Sequence, residues 1–383
     1  MNSVKSFIKI PLPALATGGI LFVFSLLSCK QQPIFYEISL ELEPVAARIN
    51  GATTNIVIFD GKMYVAGEGF HQYARDENTG KALWNNVPSY PPGGGKIRSL
   101  AATNDYLYAV TGELEGSALY RKTKDSPDWE RVENNTGYPF LQTIFGNETG
   151  LFVGAAKKAD KKFIFAIFYD NNGKLELIKE ETQLLKGAVW DGTDHFLAVS
   201  GGTTNDGEGT KGIYKVSQGM GDPELTGGSG DWLIEGLIKT GSRIVAVSRK
   251  GAVYAKDAGD ESFTEKAKTG LTFTGALALY QKDGNGLLLF GVQGGSGAGG
   301  YREIRLSDIQ GESWTIRSPG ESKPSSVSSA ARYHSSIASH PVNYIFQAPP
   351  GLDPEQTLFA STQKNGLWSY RMRNGEEQWN GES

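Results

Sequence analysis

One cysteine in 383 residues leaves no partner for an internal disulfide, so Cys29 cannot staple a fold. Histidine is nearly as scarce. His71, His195, His334 and His340 show no close metal-ligand spacing, and the sequence gives no reason to expect a metal or a cofactor. Neither sign of charge dominates. Thirty-eight basic and 42 acidic residues give a formal charge of −4, which lacks the basic footprint of a nucleic-acid binder. There is no GxSxG nucleophile elbow. Helical periodicity is almost absent, and the single apolar run near the N-terminus is short and broken by Pro11 and Pro13, unlike a bilayer span. Glycine is plentiful instead, at 49 residues, as turn-rich β structure requires.

What is present is a repeated phrase: an apolar strand, a polar turn and a second apolar strand. It reads NIVIFDGKMYVAG, SLAATNDYLYAVT, QTIFGNETGLFVG, AVWDGTDHFLAVS, GLIKTGSRIVAVS, LALYQKDGNGLLLFG and YIFQAPPGLDPEQTLFAS. One aligned second-strand residue from each gives Tyr64, Tyr108, Phe152, Leu197, Val245, Leu289 and Phe359, at steps of 44, 44, 45, 48, 44 and 70 residues. A third strand follows with Tyr73, Tyr120, Tyr169, Tyr214, Tyr254 or Tyr370, and a fourth with Trp84, Trp129, Leu177, Leu225, Phe263, Trp314 or Trp379. Such residues suit a pleated, half-buried surface. Asp60-Gly61, Asn172-Gly173, Asp191-Gly192 and Asn374-Gly375 supply hairpin turns. An all-strand period in the forties is the mark of propeller blades, which bury their faces only by stacking into a closed ring. The expectation is an all-β fold, a seven-bladed β-propeller of four-stranded antiparallel blades over residues 35–383 and monomeric. Residues 35–42, FYEISLEL, alternate like a strand and are expected to pair into the last blade and close the ring; a loose linker is the alternative.

The N-terminus has a different character. Two lysines and no acid precede a mostly apolar stretch to Leu27, and Leu26-Leu27-Ser28-Cys29 follows. That pattern reads as a signal peptide over residues 1–28. The ending resembles the lipobox of bacterial lipoproteins in its relaxed form, with Leu27 in place of the commoner small residue. The resemblance implies a lipidated, palmitate-type Cys29, a tether over 29–34, and a place in the bacterial cell envelope, at the outer membrane facing the periplasm or the surface. An ordinary signal peptide with a chance cysteine, or an uncleaved anchor, is the alternative. An acyl chain contributes about 0.8 kcal/mol per buried CH2, so a lipidated Cys29 holds the chain on a membrane.

The long sixth step falls mostly in residues 318–341, SPGESKPSSVSSAARYHSSIASHP. Loops beyond about 12–15 residues are uncommon in compact domains and are often functional. Arg332, Tyr333 and His334 form a ligand-capable cluster there; Asn205 and Ser296 mark two further Gly-rich loops. Gly295 to Gly300 matches GxGxxG, but a strand follows rather than the helix a dinucleotide site needs. His195 reads as a solvated turn residue.

Two resemblances cover parts of the chain. Residues 63–84, MYVAGEGFHQYARDENTGKALW, resemble the repeat of pyrroloquinoline-quinone-type propellers, shared with the lipid-anchored scaffold BamB of the outer-membrane barrel-assembly machinery. This chain has no adjacent cysteine pair of the quinone dehydrogenases. The turns at 124–129, 256–263 and 307–314 resemble degenerate Asp-boxes of sialidase-type propellers, a fold device rather than a catalytic one. Together these imply an exported, membrane-anchored propeller lipoprotein that binds or scaffolds a protein partner, another envelope protein. A carbohydrate- or small-ligand-active enzyme and a surface adhesin remain the alternatives.

Overall fold

The computed structural model describes residues 49, 51–75, 82–93, 95–113, 115–160, 162–201, 211–227, 232–282, 285–293, 300–319, 337, 340–363, 365–373 and 376–382. All belong to the unit Ala46–Ser383. The signal peptide, Cys29, the tether and residues 35–42 lie outside them.

The described chain is a seven-bladed β-propeller. Its blades span residues 57–86, 97–131, 140–182, 184–227, 234–268, 273–305 and 342–381, each an antiparallel meander whose strand order follows the sequence. Blade six has three strands; Arg317 fills the fourth place through reciprocal backbone bonds with Glu303 at 3.0 and 2.9 Å. The repeat residue of every second strand is buried, from Tyr64 through Phe359. Second strands are buried on both faces, between two blades: six of the repeat residues pack on the following blade, and Leu197, one position out of phase with them, packs on the preceding blade three. Asp60 and Gly61 have φ of 50° and 64°, and Asn172 and Gly173 have 54° and 95°, the paired positive values of a type I′ hairpin.

The outer aromatics weld blade to blade. Trp129 packs with Phe70 of blade one, Phe263 with Phe196 of blade four, and Trp379 with Tyr301 of blade six. Trp314 joins the cluster shared by blades five and six. Trp129 and Trp314 therefore hold comparable positions, and each indole N–H donates to a backbone carbonyl, of Ser89 at 3.3 Å and Gly311 at 3.1 Å. Leu177 and Leu225 are different: both are exposed, and Leu175 takes the buried place in blade three. Outer strands lie on the rim, where the neighbouring blade covers them least.

Blades one and seven close the ring. Tyr73 and Trp84 stack edge-on against Phe359, within a cluster that also holds Ile49, Ile56 and Leu367. Trp84 Nε1 donates to Glu382 Oε2 at 2.9 Å, and Arg75 pairs with Asp353 at 3.0 Å and Glu355 at 2.8 Å. The backbone of residues 49–51 runs along blade seven, accepting from Leu367 N and Gly366 N.

Glycine permits the closest approach between blades. A Cβ on Gly236 would sit 2.3 Å from the Gly275 carbonyl oxygen, and Gly275 itself has φ of +87°, where side chains are strained.

Candidate functional site: the channel mouth

The first strands of all seven blades line one central cavity of about 670 Å³. Part of its wall is apolar, with Ala188, Leu237 and Leu277 partly exposed to it. Its rim is polar for a specific reason. In six blades the pairing of first and second strand slips at the start of the first strand, as at Ile97/Ser99, Leu185/Gly187, Ile234/Gly236 and Val342/Tyr344. Each slip is a β-bulge, which leaves an extra residue unpaired and re-aims its side chain. The extra residues include Arg98, Gln142, Lys186, Glu235 and Asn343. The bulge thus recurs around the ring and sets polar groups at one mouth.

Charge there is organised around Glu235. This carboxylate is buried and ion-paired to Lys186 of the preceding blade at 3.1 Å and to Arg249 at 2.5 Å. Two cations on one carboxylate leave the pocket net positive. Arg98 adds another, exposed, its guanidinium lying over Gly112, where a Cβ would come within 2.7 Å. Thr274 donates its hydroxyl to Val342 O across blades six and seven, and the Tyr344 hydroxyl donates to Ile56 O at 2.7 Å. Burial pushes the Tyr344 phenol far up, so it stays a neutral donor. Beside the rim is a second cavity of about 330 Å³, lined by Glu235, Arg249, Phe273, Gln293, Asn343 and Gln363. Among the described residues the channel lining carries one carboxylate, Glu235. No described group of three His, Cys, Asp or Glu residues could hold a metal.

The candidates read from the sequence, Arg332, Tyr333, His334, Asn205 and Ser296, all lie outside the described residues, as does Cys29. The described residues flanking those loops belong to the mouth side. Gln293 and Pro341 line the second cavity, and Gly300 N donates to His340 O at 2.9 Å. The glycine run at 295–300 leads into the strand Tyr301–Arg305, which excludes a dinucleotide-binding helix there. Arg98, Lys186, Glu235 and Arg249 were not singled out by motif. A faint signal exists: Arg98-Ser99-Leu100, Gln142-Thr143-Ile144, Lys186-Gly187-Ala188 and Glu235-Gly236-Leu237 share a polar, small, apolar order.

His195 corrects the expectation of a solvated turn. It is fully buried in the strand Asp194–Ser200, between Phe152 at 4.8 Å and Trp190 at 4.5 Å between ring centres. Its ring nitrogens lie 3.2 Å from Asn147 Nδ2 and 3.3 Å from Thr149 Oγ1. Burial lowers its pKa to about 4. Its folded value lies below the unfolded one, so its stabilising contribution is full above about pH 6.5 and is lost as pH falls toward 4. Between pH 7.5 and 4.5 the loss should be about 2 kcal/mol. Urea midpoints at both pH values, for wild type and His195→Gln, test this: the variant's midpoint should fall less. Parallel falls would put the acid sensitivity elsewhere.

The comparisons fit this architecture. A family model described as the DUF6242 beta propeller domain matches residues 43–186. No curated protein matches the sequence. Solved structures match over most of the chain at low identity. One is YCF48 bound to D1 peptide, at 11% identity and a TM-score of 0.52, over 87% of this chain and 96% of that one. Another is the GH74 xyloglucanase from Xanthomonas campestris, at 14% and 0.53, over 88% of this chain but 55% of that one. A chain of the mitotic checkpoint complex matches at 10% and 0.53, over 86% and 94%. At these identities the likeness is one of fold.

Proposed function

We propose that this chain is a lipid-anchored, exported propeller that binds a protein partner at the channel mouth. The observation that carries the reading is the recurring bulge, which gathers Arg98, Lys186, Glu235 and Asn343 from four blades around one opening. A rim of mixed donors and acceptors above a partly apolar channel suits an extended polypeptide, with backbone amides on the rim and side chains in the cavity. Two structural neighbours support the same use of the fold: YCF48 is recorded bound to a D1 peptide, and another propeller sits within the mitotic checkpoint complex. The lipobox-like Leu26-Leu27-Ser28-Cys29 assigns the partner to the bacterial envelope, with envelope assembly as the wider role.

Photocrosslinking in cells tests the site. A photoreactive residue at Arg98 or Asn343 should give one dominant protein adduct, and Lys186→Glu should reduce the Asn343 adduct about tenfold or more, since buried interface charges are worth about 2 kcal/mol or more. The same probe at Ser242, in the turn at the other end of a first strand, should give none. Adducts from Ser242 alone would refute the mouth as the binding face. Deleting residues 320–334 should leave thermal stability nearly unchanged, because loop length alters stability only slowly.

A further inference from the structure

Blade three departs from its neighbours in one respect. Its second strand, Gly150–Ala159, and third strand, Lys162–Asn171, stay paired as far as Ala159 opposite Lys162. The second strand runs seven residues past Phe152, whereas the equivalent strand of blade five stops at Ser248, three residues past Val245, and that of blade two at Glu113, five past Tyr108. Relative to blade five, the extra four residues carry the hairpin about 13 Å further, at about 3.3 Å per residue. The propeller meander places this turn on the channel-mouth side, the side of Arg249 and Gln293 in the matching turns of blades five and six.

The extension combines aromatic and basic side chains. Phe140, Phe163 and Phe165 occupy one face, with Phe163 6.0 Å from Phe140 and 6.3 Å from Phe165 between ring centres. Phe163 is 47% exposed, among the few large apolar side chains of the described chain left in water. Lys158 lies directly opposite Phe163 and shares its face, Lys162 stands at the turn opposite Ala159, and Lys157 points to the other face, where it pairs with Glu180 at 3.7 Å. Neither the fold nor the mouth needs an exposed phenylalanine, Phe163, on a projecting hairpin.

We propose that this hairpin tip is a second membrane contact, whose occupant is an anionic lipid surface. Aromatic side chains wedge into the headgroup and acyl boundary while lysines meet anionic headgroups, each basic residue strengthening binding several-fold. Chain geometry agrees. The polypeptide enters the propeller at Ile49 on the mouth side, where its carbonyl accepts from Leu367 N. The residues from Cys29 to Ile49 can span up to about 70 Å, so the hairpin can reach the bilayer that holds the lipid. The inference uses the lipid-anchor reading for this geometry alone; the hairpin chemistry stands without it. The contact turns the mouth toward the membrane, which fits a partner seated in that membrane.

The test uses the full chain carrying Ala159→Cys with an environment-sensitive thiol fluorophore, on vesicles of phosphatidylcholine with and without 40% phosphatidylglycerol. On the anionic vesicles the emission should shift to the blue and aqueous iodide quenching should fall several-fold. A label at Ser242→Cys should stay fully quenchable. Phe163→Ser, or Lys158→Gln with Lys162→Gln, should abolish the shift. A hairpin label as quenchable as Ser242 on both vesicles overturns the proposal. So does protection that needs an added envelope protein extract in detergent, which assigns the tip to a protein. The parent chain, whose only thiol is Cys29, reports on the anchor: a lipidated Cys29 takes up no fluorophore. Uptake there overturns the anchor reading alone, and the hairpin measurement is then made in the Cys29→Ser background.

Discussion

Trp84→Ala should destabilise the propeller by at least about 3–5 kcal/mol, because it opens the ring at its one junction between chain-distant blades. The indole is buried between Tyr73 and Phe359, and its N–H donates to Glu382. Glu382 is itself buried, also held by the Ser369 hydroxyl and by Arg371 at 3.6 Å. Burial raises the Glu382 pKa, so the folded state already bears the cost of an ionised carboxylate in a poorly solvated place. Truncation therefore adds a lost donor to a cavity. Trp84→Phe separates the two effects: it keeps most of the ring and loses only the hydrogen bond, at about 1–3 kcal/mol. Urea unfolding of the three proteins at neutral pH checks the order. Lowering the pH toward the Glu382 pKa should narrow the gap between Phe and Trp, because a protonated carboxyl needs the donor less. Equal midpoints for wild type and Trp84→Ala would mean that the closure is held elsewhere.

Cys29→Ser should abolish lipid labelling and move the protein from the detergent phase to the aqueous phase. The expected change is large, because acyl anchoring grows by about 0.8 kcal/mol per buried CH2. Metabolic labelling with a clickable palmitate and phase partitioning of cell extracts give the readout. Unchanged partitioning of the variant would refute the lipoprotein reading. If the blade-three hairpin contributes as proposed, a small residual fraction of Cys29→Ser protein should remain on anionic membranes and be lost on adding Phe163→Ser.

The repeat was legible in the sequence because blade structure is local. Strand alternation and turn residues act over a few positions, so Tyr64, Tyr108, Phe152 and their four counterparts could be aligned, and all seven are buried. Five of the six third-strand tyrosines and most of the outer aromatics are buried as well; in blade three Phe168 takes the place expected for Tyr169, which is half-buried. The site was barely legible. A bulge changes where Arg98, Lys186 and Glu235 point without changing what they are, and their convergence depends on residues 98 to 343 meeting around a ring. His195 lies in a stretch that reads as a turn, yet Trp190 and Phe152 enclose it, the latter from the adjacent blade. Trp84 and Glu382 are 298 residues apart, and Arg75 and Asp353 are 278 apart. The sequence by itself determined the blade count, the core-facing positions and the lipobox-like N-terminus, because those rest on short-range pattern. Tertiary structure alone decided the polar mouth, the buried histidine, the clamp at the closure and the projecting hairpin, because each depends on which distant strands become neighbours.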